Sequence, residues 1–291
     1  MIPAAFDYHA PTSLDEALSL LAAHGDEAKV LAGGQSLIPM MRFRLAEPGV
    51  LVDLNHIEGM AGVTEEDGHL WIGALTRHAE VERSDLVRKR YPLLHEAASV
   101  IADPIVRNRG TVAGSLVHAD PAGDWGAVML ACGAELEVHG PDGQRMVPID
   151  ELFVTTFMTS LSPGDIVTGI KLPIAGKRSG GAYEKLERKV GDFATVAVAA
   201  RLELDDDGVC SAAGIGLTAV GATNLRAQDA EKALIGKKPD EASIDAASRA
   251  AAEAASPTAD NRGSVEYKRD MVRVLSARAL RRAAAHAGGE G

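Results

Sequence analysis

Apolar residues recur along this chain with two different periods, and each change of period predicts an element boundary. Leu14, Ala17, Leu18 and Leu21 keep helical spacing, Ser13-Leu14-Asp15-Glu16 is a capping-box start, and Gly25 is a stop. Residues 29–31 read as a short strand that runs into Ala32-Gly33-Gly34-Gln35-Ser36, with a new helix opening at Leu37-Ile38. The predicted order is therefore helix, strand, glycine turn, helix. Residues 51–54 form a second short strand, and residues 60–75 read as a hairpin turning at Asp67-Gly68.

From 86 to 101 the placement of Leu93, Leu94, Ala97, Ala98 and Ile101 predicts one amphipathic helix, with Pro92 near its first turn. Periodicity is lost over 103–114, where a second glycine-bearing turn, Gly110-Thr111-Val112-Ala113-Gly114-Ser115, appears. A helix over 125–132 and alternating stretches over 134–138 and 166–172 follow. The polar run Lys177-Arg178-Ser179-Gly180-Gly181, preceded by Pro173, marks the best domain boundary. Beyond it come strands over 183–190 and 195–204, a turn at Asp205-Asp206-Asp207-Gly208, and a strand over 209–220. The alanine-rich tail, 229–286, is helical apart from a loop near 256–263. Strands followed by helices indicate an α+β unit, and no internal repeat is visible.

Composition narrows the function. The chain has 291 residues, enough for about two domains of roughly 150 residues, with 46% hydrophobic residues to build a core. Its 30 Lys and Arg stand against 41 Asp and Glu, a formal charge of −11 that disfavours nucleic acid and anionic membrane surfaces. Cys132 and Cys210 are far apart, which excludes a disulfide framework, a Cys-x-x-Cys zinc site and an iron–sulfur cluster held by this chain alone. The start, MIPAAFDYHAPTS, has no basic n-region or apolar h-region, and no run of 18 apolar residues occurs. A cytoplasmic protein without an integral membrane segment is expected.

Few local signals carry chemistry. Gly214-Ile215-Gly216-Leu217-Thr218-Ala219 fits a dinucleotide-binding glycine pattern, but it lies inside an alternating strand with no helix following closely, so small residues packed under a helix are expected. The nine histidines form no HxxxH or HExxH pair, and no GxSxG elbow is present. What remains is the pair of glycine turns. Glycines leave successive backbone N–H groups open to a phosphate, and two converging turns would cradle a pyrophosphate without Lys or Arg. Each turn alone is more often plain chain geometry.

Longer strings decide between these readings. Ala32-Gly33-Gly34-Gln35-Ser36-Leu37-Ile38-Pro39, then Ile101-Ala102-Asp103-Pro104 with Arg107-Asn108-Arg109 and the second turn, then Tyr183-Glu184-Lys185-Leu186 and Lys189-Val190-Gly191-Asp192-Phe193-Ala194, occur in order. Together they resemble the FAD-binding medium subunits of molybdenum hydroxylases, the xanthine dehydrogenase family, and within it the branch that serves aerobic carbon monoxide dehydrogenases. The resemblance covers essentially the whole chain from Met1.

It implies an α+β fold: a two-lobed FAD-binding domain of the vanillyl-alcohol oxidase type over 1–176, with lobes of about 1–55 and 56–176, then a C-terminal antiparallel sheet with helices over 177–291. It implies that Ala32, Gly33, Gly34, Gln35 and Ser36, with Thr111, Val112, Ala113, Gly114 and Ser115, bind the FAD pyrophosphate. Asp124 would meet the ribityl and ring region, and Val167 and Lys185 would line the isoalloxazine. Read from the residues alone, Asp124 also suits the N-cap of the helix at 125, and Lys185 a solvated strand lysine.

The family resemblance further implies an oxidoreductase subunit without metal or catalytic side chains of its own. Its partners would be a small subunit with iron–sulfur clusters and a large subunit with the molybdenum cofactor, paired as a dimer of heterotrimers, a heterohexamer. Electrons would leave through FAD to a quinone or another acceptor, with the complex cytoplasmic or peripheral to the inner membrane face. The alternatives are a purine, N-heterocycle or aldehyde dehydrogenase of the same family, NAD-linked or not, and a flavin-free assembly or binding module. Gln35, Phe193 and the loop Thr111–Ser115 differ from the residues common in the carbon monoxide branch, which bears on the acceptor more than on the cofactor.

Overall fold

The computed structural model describes residues 2–289. Met1, where the family resemblance begins, and residues 290–291, at the end of the expected C-terminal domain, lie outside them. Ser13 opens helix α1 (Leu14–His24) as predicted, its hydroxyl accepting from the Glu16 amide at 3.2 Å. The Glu16 carboxylate reaches one residue further back than a capping box requires, to the Thr12 amide at 3.0 Å. Strand β1 (Asp7–His9) precedes this helix, and β2 (Ala28–Leu31) leads through the first glycine turn into α2 (Leu37–Arg42). With β3 (Val50–Asp53) they form a parallel sheet of order β1-β3-β2. The central β3 is buried along its whole length, as a parallel strand between neighbours requires. β1, Asp-Tyr-His, has no apolar alternation and is invisible in the sequence pattern; it forms on the open edge of β3.

The hairpin forms as predicted, β4 (Val63–Glu66) and β5 (His69–Gly73) joined by Asp67 and Gly68, both at positive φ. The next prediction fails. Residues 86–101 are not one helix: α3 (His78–Arg83) is followed by α4 (Asp85–Arg90) and α5 (Pro92–Val100). Pro92 has no N–H to continue α4, and Tyr91 leaves the helical region at φ −133° and ψ 60°, so Pro92 starts a new helix instead. The stretch expected to be irregular contains α6 (Pro104–Arg107), capped by Asp103, before α7 (Val112–His118). After α8 (Asp124–Cys132) come β6 (Glu135–Gly140), β7 (Gly143–Pro148), α9 (Ile149–Leu152), the small hairpin β8 (Phe153–Thr155) and β9 (Met158–Thr159), and β10 (Ile166–Pro173). β10 enters the middle of an antiparallel sheet of order β4-β5-β10-β6-β7.

The third main sheet, β11 (Ser179–Leu186), β12 (Val196–Leu204), β13 (Cys210–Thr218) and β14 (Leu225–Arg226), is antiparallel in chain order. β11 stops at Leu186 rather than 190, because Glu187-Arg188-Lys189 turns away into a surface loop. Alternation divides β12 between two cores. Val196, Val198, Ala200 and Leu202 pack with α10 (Gln228–Leu234), α11 (Glu241–Ala254) and α12 (Val265–Gly288), while Ala197 and Ala199 join the core that contains α8. Among the described residues no helix is long and apolar enough to cross a membrane, and no group of three His, Cys, Asp or Glu could hold a metal ion. Cys132 and Cys210 are free and buried.

All nine residues of α8 are buried, with sheets packed around it. The Gly214 and Gly216 pattern lies in β13 and serves this packing, as its strand context predicts: a Cβ at either position would overlap the carbonyl of Ala131 or Ala127 in α8. Backbone atoms of a buried helix cannot step aside. Gly216→Val is therefore expected to destabilise the protein by about 3 kcal/mol or more, measured as the shift of the urea unfolding midpoint, whereas Gly288→Ala, exposed at the helical end of α12 with open space for a Cβ, should change stability by no more than about 1 kcal/mol.

Candidate functional site

β2 and the start of α7 deliver the two glycine turns to one place. A Cβ on Gly33 would overlap the Arg109 carbonyl and lie 2.8 Å from the Cα of Gly110, so the two backbones touch here. A Cβ on Gly114 would lie 3.9 Å from that of Ala32. Gly33 is thus required first for the turns to meet, and only then for a ligand to approach. Gly34 has φ 72°, a left-handed conformation that an L side chain resists, and Ser36 returns to the helical region. Alternating hand is the backbone pattern that gathers successive N–H groups into an anion-sized concavity. The amides of Gly34, Gln35 and Ser36 donate to no protein acceptor among the described residues. The Gln35 side chain is exposed and folds back to the Gly33 carbonyl at 3.4 Å.

The second turn is not a second nest. Thr111 caps α7, its Oγ1 accepting from the Gly114 amide at 3.1 Å, while the Val112 amide donates to the Thr76 carbonyl and the Ser115 amide to the Thr111 carbonyl. Among the described residues the amides of Thr111 and Ala113 and the hydroxyls of Thr111 and Ser115 remain as donors. The side chains of Val112 and Ala113 belong to the core. The two turns thus offer different donors: the first three consecutive amides, the second two amides and two hydroxyls.

A polar chain that the sequence reading missed ties the turns together. Tyr8 Oη donates to Asp53 at 2.6 Å, Asp53 accepts from the Asn55 amide at 3.0 Å, and Asn55 Nδ2 donates to the Ala32 carbonyl at 2.8 Å. Arg77 donates from one guanidinium nitrogen to Asn55 Oδ1 and from the other to the Arg109 carbonyl at 2.6 Å. Burial opposes ionisation of Asp53, but the hydrogen bonds from Tyr8 and Asn55 outweigh it and hold the carboxyl below its ordinary range. The only sequence signal was Asp53-x-Asn55 directly after a buried strand, a turn-forming pattern. Nearby, Trp125 Nε1 donates to His78 Nδ1 at 3.0 Å, and burial, reinforced by Arg107 and Arg77, pushes the His78 pKa down to about 4.

Asp124 and Lys185 meet. Gly123, not Asp124, is the N-cap of α8, and it sits beside the second turn, where an added Cβ would lie 3.8 Å from Ser115 Oγ. The Asp124 carboxylate accepts from Tyr183 Oη at 2.7 Å and pairs with Lys185 Nζ at 3.1 Å. Lys185 also donates to the Val100 carbonyl at 3.0 Å, and its side chain is 3% exposed, so it is not the solvated strand lysine that was the alternative. Tyr183 and Lys185 are two apart on β11 and share a face, which brings both to the start of α8. Burial raises the Asp124 pKa, with Lys185 and Tyr183 opposing it, and burial beside Asp124 lifts Tyr183 well above the usual phenol range. Val167 is buried on β10 at a bulge, on the strand against which α7 packs. Phe193 is half-exposed, its carbonyl accepting from Arg262 at 2.7 Å.

Residues 4–175 match the family described as the FAD binding domain in molybdopterin dehydrogenase, and residues 181–283 match the CO dehydrogenase flavoprotein C-terminal domain. The chain is 41% identical to the carbon monoxide dehydrogenase medium chain of Afipia carboxidovorans, covering 99% of each. It is 40% identical to the 6-hydroxypseudooxynicotine dehydrogenase complex subunit alpha of Paenarthrobacter nicotinovorans, covering 97% of this chain and 96% of that one. A solved carbon monoxide dehydrogenase from Hydrogenophaga pseudoflava, lacking the molybdenum–pyranopterin moiety, superimposes with a TM-score of 0.94 at 44% identity over 97% of this chain and 98% of that one.

Two outcomes follow from the buried ionisable groups. Lys185→Met leaves Asp124 with a hydroxyl partner alone, and should destabilise the protein by about 3–5 kcal/mol at pH 8. Because the folded-state pKa of Asp124 then rises further above its unfolded value, stability is lost as pH rises, and the deficit in urea unfolding should be smaller at pH 5. For His78 the sign is opposite. Its folded pKa of about 4 lies below the ordinary 6.5, so its contribution is complete above pH 6.5 and declines as pH falls to about 4, by about 3 kcal/mol in all. His78→Gln, which keeps an acceptor for Trp125, should flatten that part of the stability profile.

Proposed function

The chain belongs to the FAD-binding subunits of the molybdopterin dehydrogenases, and from that premise we propose that it is the electron-transfer subunit of an aerobic carbon monoxide dehydrogenase. On this reading a small partner subunit carries iron–sulfur clusters, a large one carries the molybdenum cofactor, and the three chains pair into a heterohexamer in the cytoplasm or at the inner membrane face. When bound, FAD would supply the redox chemistry by which electrons from the clusters reach a quinone or another acceptor. The observation that carries this reading is the junction of the two turns, where three consecutive unpartnered amides stand beside the hydroxyls of Thr111 and Ser115.

The residues present fit that cofactor. The amides of Gly34, Gln35 and Ser36, the Ala113 amide and the two hydroxyls are donors, and a pyrophosphate is an acceptor only. Arg77 and Arg109 add positive charge at the turns of a chain whose net charge is −11. Further along the site, Lys185 is a buried cation held in place by Asp124 and the Val100 carbonyl, suited to a flavin ring that gains electron density on reduction. Val167 would contribute an apolar wall to the same ring. Division into an FAD-binding part over 1–176 and a C-terminal part over 177–291 accords with the separate sheets on either side of residue 177.

A second reading is favoured by one comparison. The relative that serves 6-hydroxypseudooxynicotine oxidation is as similar as the carbon monoxide relative, 40% against 41% identity. The substrate in such complexes is met by another polypeptide, so an N-heterocycle, purine or aldehyde dehydrogenase, with NAD as a possible acceptor, would use this same subunit.

The full chain, purified and denatured, should release FAD, or take it up when it is added; a colourless chain that binds no FAD would make it a flavin-free module and sink the proposal. Gly34→Val should abolish FAD retention while urea unfolding stays cooperative, because a branched side chain at φ 72° both strains the turn and crowds Ile38. In the intact complex, bleaching of the flavin by carbon monoxide supports the first reading, and bleaching by a nicotine derivative or hypoxanthine alone supports the second.

A further inference from the structure

We infer that Arg77, acting through Asn55, is a positioning residue that sets the spacing between the two phosphate-facing turns. The inference rests on the functional reading above and deepens it. The second turn is already stitched to the segment around Arg77 by backbone alone: the Val112 amide donates to the Thr76 carbonyl, the His78 amide to the Gly110 carbonyl, both at 3.0 Å, and Arg77 forms an isolated antiparallel bridge with Thr111. The Arg77 side chain is not needed for that attachment.

What the side chain adds is the link to the other turn. One arm of its fork takes the Arg109 carbonyl, the same carbonyl against which Gly33 packs, and the other takes Asn55 Oδ1. Asn55 in turn holds the Ala32 carbonyl at 2.8 Å, at the entry to the first turn. Asn55 is itself fixed by Asp53, whose second oxygen is held by Tyr8 from β1. A planar guanidinium with two arms of fixed separation is suited to this task, and a lysine, which presents one point charge on a flexible stem, is not. Arg77 is half-buried, and it keeps its bond to the Arg109 backbone carbonyl despite the like charge of the Arg109 side chain. A ligand bridging both turns would meet donors already at their bound separation, so less ordering remains to be done on binding.

Arg77→Ala, Arg77→Lys, Asn55→Ala and the Arg77→Ala/Asn55→Ala double variant, each as the full chain, separate positioning from mere stability and from charge. FAD dissociation constants by flavin fluorescence, melting temperatures of the FAD-free chains, and 31P spectra of bound FAD are the readouts. Each single variant, the lysine one included, should bind FAD at least about tenfold more weakly, with a displaced 31P signature and FAD-free melting temperatures within about 3 °C of the parent. The double variant should be no more than about twofold worse than the weaker single, since the two residues form one unit. Parental affinity in the variants, additive losses in the double, or full rescue by Arg77→Lys would overturn the positioning role while leaving the FAD reading intact. A parent chain that takes up no FAD would overturn both.

Discussion

Helix α8 has no face left for water, and most of the architecture is arranged around that burial. A helix apolar on every side must be enclosed, so a sheet with glycines at the contact closes one side and the helices and strands of the FAD-binding part close the rest. The arrangement leaves one polar difficulty, because Asp124 begins the helix inside the enclosure. A carboxylate there needs a counter-charge, and β11 provides it by bringing Lys185 and Tyr183 from the other sheet. The ion pair thus ties strand β11 to the start of α8.

Charge presents a second constraint. A chain with an excess of acidic residues that is to hold a phosphate-rich cofactor would, on the proposed reading, do so with groups that formal charge does not count. Three amides of a left-handed turn, those at the start of α7 and two hydroxyls would be the donors, while the Arg77 guanidinium is occupied in bonding the Arg109 carbonyl and Asn55. Neutral donors in fixed positions need no rearrangement when the ligand arrives. Net charge therefore describes the partners this surface avoids, and says little about the anion that a local concavity accepts.

The division of work between subunits explains why this chain carries so few reactive groups. It contains no assembled metal-ligand cluster among the described residues, and its cysteines are buried. Near-equal similarity to relatives with different named substrates is the pattern expected when substrate contacts lie elsewhere. Phe193 presents its ring to solvent, while its backbone carbonyl is held by Arg262.

The sequence alone determined helix α1, the hairpin, both glycine turns and the strand character of Gly214 to Thr218, because local periodicity, capping and turn chemistry report those features directly. Its longer motifs were specific enough to identify the family. It did not show that Pro92 restarts a helix, that β1 exists, or that Asp124 and Lys185 are partners 61 positions apart. Nor did it show Arg77 and Asn55, which are ordinary polar residues until the fold sets them between two turns. The reason is physical. A pattern along the chain reports which face of an element is apolar, whereas the meeting of a carbonyl, an amide and a guanidinium from distant segments depends on how those elements pack, and only the tertiary structure decides that.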